Sequence, residues 1–92
     1  MIKDGYALMR KGHLCILRVY NVVISSLAAG KTSWQATLPE GIVPQIYMSN
    51  ALLSSSGKAR VAVDTDRHVE ISTSNEALSN ATLNGQIVFP IQ

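Results

Sequence analysis

Between Thr32 and Pro44 the chain alternates cleanly and then stops. Trp34, Ala36 and Leu38 fall on one side of an extended segment, and Ser33, Gln35 and Thr37 on the other. Pro39-Glu40-Gly41 follows, with proline fixing φ and glycine free to take positive φ. Pro44 then bars a helix. The pattern predicts a strand over 32–38 closed by a turn, with Trp34 packed in the core.

The same punctuation recurs along the chain. Gly5–Arg10, around Tyr6-Ala7-Leu8-Met9, predicts a first short strand ending at a Lys11-Gly12 turn. His13–Ile24 is rich in valine, isoleucine, leucine and tyrosine, and crowding at their β-carbons favours a strand. Both its sides are largely apolar, which predicts a central strand covered on two faces or a strand bent between two sheets, with Asn21 at the bend. Ser25–Lys31 reads as a loop. Gln45–Leu53 predicts another long strand, and Ser54–Gly57 a flexible turn.

Lys58–Asp64 and His68–Thr73 form the clearest hairpin, with Ala59, Val61, Val63, Val69 and Ile71 inward. Ser74–Leu83 has some helical character, with Ser74 or Asn75 able to cap one turn. Asn84-Gly85 reads as a turn, and Gln86–Ile91 as a closing strand with Ile87, Phe89 and Ile91 on one face. Pro90 places that strand at an edge or ends it. Together these segments predict an all-β fold: a small antiparallel β-sandwich or barrel of about seven to eight short strands in a single domain, 1–92.

Composition removes several functional classes. A net charge of +2 over 92 residues is too small to draw the chain to nucleic acid or to a membrane surface. The apolar run from Leu14 is broken by Arg18 and Asn21, far short of a spanning helix. The N-terminal Met1–Gly5 carries no apolar leader, so synthesis in a host cytoplasm is expected. Cys15, the single cysteine, lies in an apolar run that predicts an inert, buried side chain.

The motifs that could carry chemistry fail on spacing. Gly30-Lys31-Thr32 ends like a phosphate loop, but Ser25 stands where the first glycine belongs and strand alternation follows. Asp64-Thr65-Asp66 starts like a calcium loop, yet His68 and Val69 occupy the third ligand and glycine positions. A turn held by aspartate side chains fits better. Cys15, His13 and His68 lack a fourth zinc ligand. Asn80-Ala81-Thr82 has the form of a glycosylation sequon without the secretory context that would use it. No cofactor and no catalytic residue is expected. Tyr6, Tyr20, Tyr47 and Trp34 are the aromatics available to stack on a sugar ring.

Two stretches, Ser33–Pro44 and Gly57–Asp66, carry a resemblance. A strand ending in leucine-proline, then glycine and proline, then a Val63-Asp64-Thr65-Asp66 hairpin and a closing strand resembles the small β-structured modules near the ends of phage tail-fibre and baseplate receptor-binding proteins, chiefly of phages infecting Gram-positive bacteria. Arg67 stands where such modules commonly carry glycine, and Ile42 where they carry an aromatic. The resemblance implies a non-catalytic virion component that partners other tail or baseplate proteins and binds host cell-wall saccharide, as a homotrimer or, without the usual stalk, a monomer. Saccharide contacts are expected in the loops 54–58 and 72–84, with Tyr47, Ser55, Ser56, Lys58, Asn75 and Asn80 as candidates. Two alternatives stay open: a small hydrolase using His68 with a nearby serine, and a nucleic-acid-binding barrel, to which only Arg18 and Tyr20 point.

Overall fold

A computed structural model describes residues Asp4–Gln92. It contains β1 (Tyr6–Lys11), β2 (Leu14–Leu27), β3 (Thr32–Thr37), β4 (Met48–Ser54), β5 (Ala59–Val63), β6 (His68–Thr73) and β7 (Leu78–Pro90), with no helix among the described residues. The strands pair antiparallel in the order β1-β2-β7-β4-β5-β6-β3. The sheet curls into a half-barrel because β4 divides its partners: Met48–Leu52 pair with β5, while Leu53 and Ser54 pair with β7. At the open side the Tyr6 hydroxyl on β1 donates to Gln35 Oε1 on β3 at 3.2 Å.

The inward faces meet in one core. Cys15, Leu17 and Val19 of β2 pack with Val61 and Val63 of β5, Val69 and Ile71 of β6, and Leu83, Ile87 and Phe89 of β7, all buried. Burying Phe89 alone contributes about 1.5–3 kcal/mol. The predicted β5–β6 hairpin forms with the predicted inward residues, and Cys15 is buried as expected, its thiol pushed up by desolvation.

Two β-bulges set which side chains face in. In β2 the register shifts between Val19 and Val22, so that Tyr20 and Asn21 oppose Asn84 alone. Asn21 sits at φ 48°, and its N–H donates to the Asn84 side chain at 2.9 Å. The sequence correctly marked Asn21 as the bend. The second bulge lies in β3, where the register shifts between Trp34 and Ala36.

Several expectations need correction. Trp34 is not a core residue: the extra residue Gln35 turns Trp34 outward, while Ala36 and Leu38 point in. The outer side of β2 is not covered, and Leu14, Tyr20 and Val23 are exposed on it. The segment 74–83 forms no helical turn; its chain enters β7 at Leu78. Asn84-Gly85 is not a turn either, because the β2 bulge faces it and absorbs the irregularity inside one long strand. That strand runs between β2 and β4, not at an edge, and it does end at Pro90, as the missing N–H requires. The strand expected over 45–53 starts only at Met48, after bends at Gln45 and Ile46.

The β4–β5 turn shows how tightly the loops are packed. Gly57 has φ 71°, and a Cβ there would lie 2.8 Å from the Ala77 carbonyl oxygen. Gly57→Ala therefore meets both a strained backbone and a backbone clash, and is expected to lose about 1–3 kcal/mol in urea unfolding. Gly12→Ala, at φ 63° with open space around it, meets only the backbone strain and should cost about 1–2 kcal/mol.

Candidate functional site

The β5–β6 turn builds the most chemically loaded place on the molecule. Asp64 Oδ1 accepts from the N–H groups of Asp66 and His68, both at 2.9 Å, which closes the turn. Arg67 completes it at φ 68°, the left-handed conformation that glycine would take without cost. Its guanidinium donates to the Leu38 carbonyl at 3.1 Å, tying the turn to the end of β3.

With Oδ1 occupied, Asp64 turns Oδ2 toward His68 Nδ1 at 3.0 Å. His68 and Glu70 follow at alternate positions on the outer side of β6, and Trp34 pairs directly with Glu70 across the β3–β6 ladder. The Trp34 ring lies against the His68 imidazole, with centroids 4.4 Å apart and planes tilted by 49°. Its Nε1–H donates to the Ala36 carbonyl at 2.8 Å, across the bulge. The indole is thus fixed on two sides yet remains 62% exposed. On the same outer face, Arg60 of β5 donates to the Ser49 hydroxyl of β4 at 3.2 Å.

The electrostatics of the cluster follow from its geometry. Partial burial raises the Asp64 carboxyl, but the His68 and Asp66 N–H groups and the imidazole outweigh it and hold its pKa below the ordinary range. Glu70 is pushed up, by desolvation first and then by the Asp64 carboxylate beside it. Asp64, His68 and Glu70 bring one ligand atom each to within 4.8 Å of one another, all half-buried.

The sequence-derived candidates lie elsewhere. Ser55 is engaged with β7: its N–H donates to the Thr82 carbonyl at 3.2 Å and its Oγ accepts from the Thr82 N–H at 2.8 Å. The Ser56 N–H donates to Ser54 Oγ. Lys58 is exposed beside a shallow depression of about 390 Å³ that also takes in Leu53, Gly57, Arg60 and Ser74, so the loops 54–58 and 72–84 do approach each other. Asn75 is exposed and its side chain accepts from the Ser74 hydroxyl. Asn80 is exposed on β7 at φ 48°, and Tyr47 is exposed just before β4. The structure does not join these six residues into one site. Of the other aromatics, Tyr6 is buried, with its hydroxyl pKa raised to about 12, and Tyr20 is exposed with Arg18 on β2. His68 has an aspartate behind it, but no serine hydroxyl is hydrogen-bonded to it among the described residues.

The Trp34 platform was missed because a bulge reverses the alternation that placed it inside. The signal present in the sequence was the pairing of a turn aspartate with two polar residues, His68 and Glu70, at alternate strand positions. The lowered Asp64 pKa means that its contribution to stability is full above the unfolded carboxylate range and is lost as pH falls through the folded pKa. Asp64→Asn should therefore destabilise at neutral pH, with the gap to wild type closing on acidification in urea titrations. Glu70→Gln should show the opposite trend, gaining on wild type as pH rises, because the Glu70 pKa is raised on folding.

No protein-family model matches the chain, and no curated protein matches it. Among solved structures, the crystal structure of the head domain of phage bIL170, described with the receptor-binding domains of lactococcal phages, superposes with a TM-score of 0.72 at 13% identity. The match covers 98% of this chain and 92% of that one. The chain therefore has the fold of a lactococcal phage receptor-binding head domain, the kind of module that the Ser33–Pro44 and Gly57–Asp66 stretches resemble.

Proposed function

We propose that this chain is a phage host-adhesion module that binds a saccharide of the bacterial cell surface on the Trp34 platform, without catalysis. Its partners are then other tail or baseplate proteins and the host wall, its place is the virion, and it acts as a homotrimer or a monomer. The structural match to a receptor-binding head domain supports the adhesion role. The observation that carries the ligand class is an indole held rigid and open beside two carboxylates and an imidazole. The apolar face of a pyranose ring stacks on such a surface, and its hydroxyls donate to ionised carboxylates in strong, charge-assisted hydrogen bonds. Little side-chain entropy is lost on binding, because the indole is already fixed.

Titration with purified host cell-wall polysaccharide, followed by Trp34 fluorescence and NMR shifts, tests the proposal. Wild type should saturate with shifts centred on Trp34, His68 and Glu70. Trp34→Ala should weaken binding by about tenfold or more, or about 1.4 kcal/mol, while Lys58→Ala at the other depression leaves it unchanged. No perturbation at saturating polysaccharide, or a loss only in Lys58→Ala, overturns the assignment.

A further inference from the structure

Asp64, His68 and Glu70 gather one imidazole and two carboxylates on one face of the β5–β6 hairpin. We propose that they make a binding site for a divalent transition-metal ion, with Zn²⁺ as the ion that fits best. One imidazole nitrogen and two carboxylate oxygens are a borderline donor set, suited to zinc and too nitrogen-rich for calcium or magnesium. Tetrahedral zinc with bonds near 2.0–2.1 Å sets its ligand atoms about 3.3 Å apart. His68 Nδ1 and Asp64 Oδ2 already stand at 3.0 Å, and all three ligand atoms lie within 4.8 Å. Rotation of the half-exposed Glu70 side chain closes the rest, and water fills the fourth position.

Three features favour a metal over a plain hydrogen-bonded pair. Asp64 is pre-oriented, since the Asp66 and His68 N–H groups hold Oδ1 and leave Oδ2 to ligate, the arrangement that outer-shell partners give a metal ligand. His68 is fixed by its contact with Trp34. Glu70 adds a second carboxylate to a cluster whose one ion pair among the described residues is His68–Asp64, so two negative charges face a single imidazole. A divalent cation balances that charge. Binding places the metal on Nδ1 and leaves the imidazole proton on Nε2.

The inference uses the same cluster as the saccharide reading but does not depend on it. Isothermal calorimetry of the metal-free 92-residue chain with ZnCl₂, alongside long-range ¹⁵N spectra of the histidine rings, provides the test. One Zn²⁺ should bind per chain at submillimolar concentration, shifting His68 Nδ1 and not His13, and millimolar Mg²⁺ or Ca²⁺ should leave both signals unchanged. His68→Gln and Glu70→Gln, with folding checked by circular dichroism, should each weaken binding on the order of tenfold to a hundredfold, while His13→Gln leaves it intact. No heat at millimolar Zn²⁺, or equal binding by the Glu70→Gln variant, overturns the site. Zinc binding without polysaccharide binding defeats only the adhesion reading, and polysaccharide binding without zinc defeats only this one.

Discussion

The outer face of β3 and β6 owes its character to the extra residue at Gln35. Without it, Trp34 would share the inward side with Ala36 and Leu38, and a core in which Leu38 and Ile71 are already fully buried would have to hold an indole as well. A bulge costs one ladder position and repays it by re-aiming a side chain. Here the cost is reduced locally: the indole N–H bonds the Ala36 carbonyl, and the bulged Gln35 takes the Tyr6 hydroxyl and donates to Ser33 Oγ at 2.7 Å. The bulge, the buried tyrosine and the exposed tryptophan are one device.

The β2 bulge answers it from the other half of the sheet. Asn21 and Gln35 border the same shallow hollow of about 340 Å³, together with Tyr6 and Tyr20. The two irregularities therefore lie where β1 and β3, the two ends of the curled sheet, come together. Extra residues on these strands raise local twist, and twist is what brings a seven-stranded sheet round on itself. Closure and display of the tryptophan follow from the same deviation from regular pairing.

This explains what the sequence could and could not reveal. The positions of β1, β3, β5 and β6, the β5–β6 hairpin and the inward set Val61, Val63, Val69, Ile71, Ile87 and Phe89 were legible because period-2 alternation and turn residues are local signals. The bend at Asn21 was legible because asparagine tolerates φ near 48°. The orientation of Trp34 was not, since a bulge is decided by what the partner strand offers, and one inserted residue puts Trp34 on the face opposite to Ala36 and Leu38. Asn84-Gly85 misled for the same reason: a dipeptide that favours hairpins in isolation lies opposite a bulge. The long apolar run of β2 suggested two covered faces, whereas Met9, Leu14, Ile16 and Val88 together form an open apolar hollow on the outside. The proximity of Trp34 to His68 is a product of pairing between strands separated by β4 and β5 in sequence, which no local pattern encodes.

Asp64 links the hairpin to the chemistry beside it. Its Oδ1 holds the turn through two backbone N–H groups while its Oδ2 faces the imidazole, so the same carboxylate sets backbone and cluster alike. Arg67 accepts a left-handed conformation at this turn in place of glycine, and in return its guanidinium anchors the Leu38 carbonyl at the end of the strand that carries Trp34. The strain of a non-glycine residue there, on the order of 1 kcal/mol, is offset by a charged hydrogen bond of similar worth. Both ends of the platform are thus held by one four-residue turn. Anything that changes the charge on Asp64 acts on turn, imidazole and indole together, which makes the stability of this hairpin and the chemistry of its outer face a single coupled quantity.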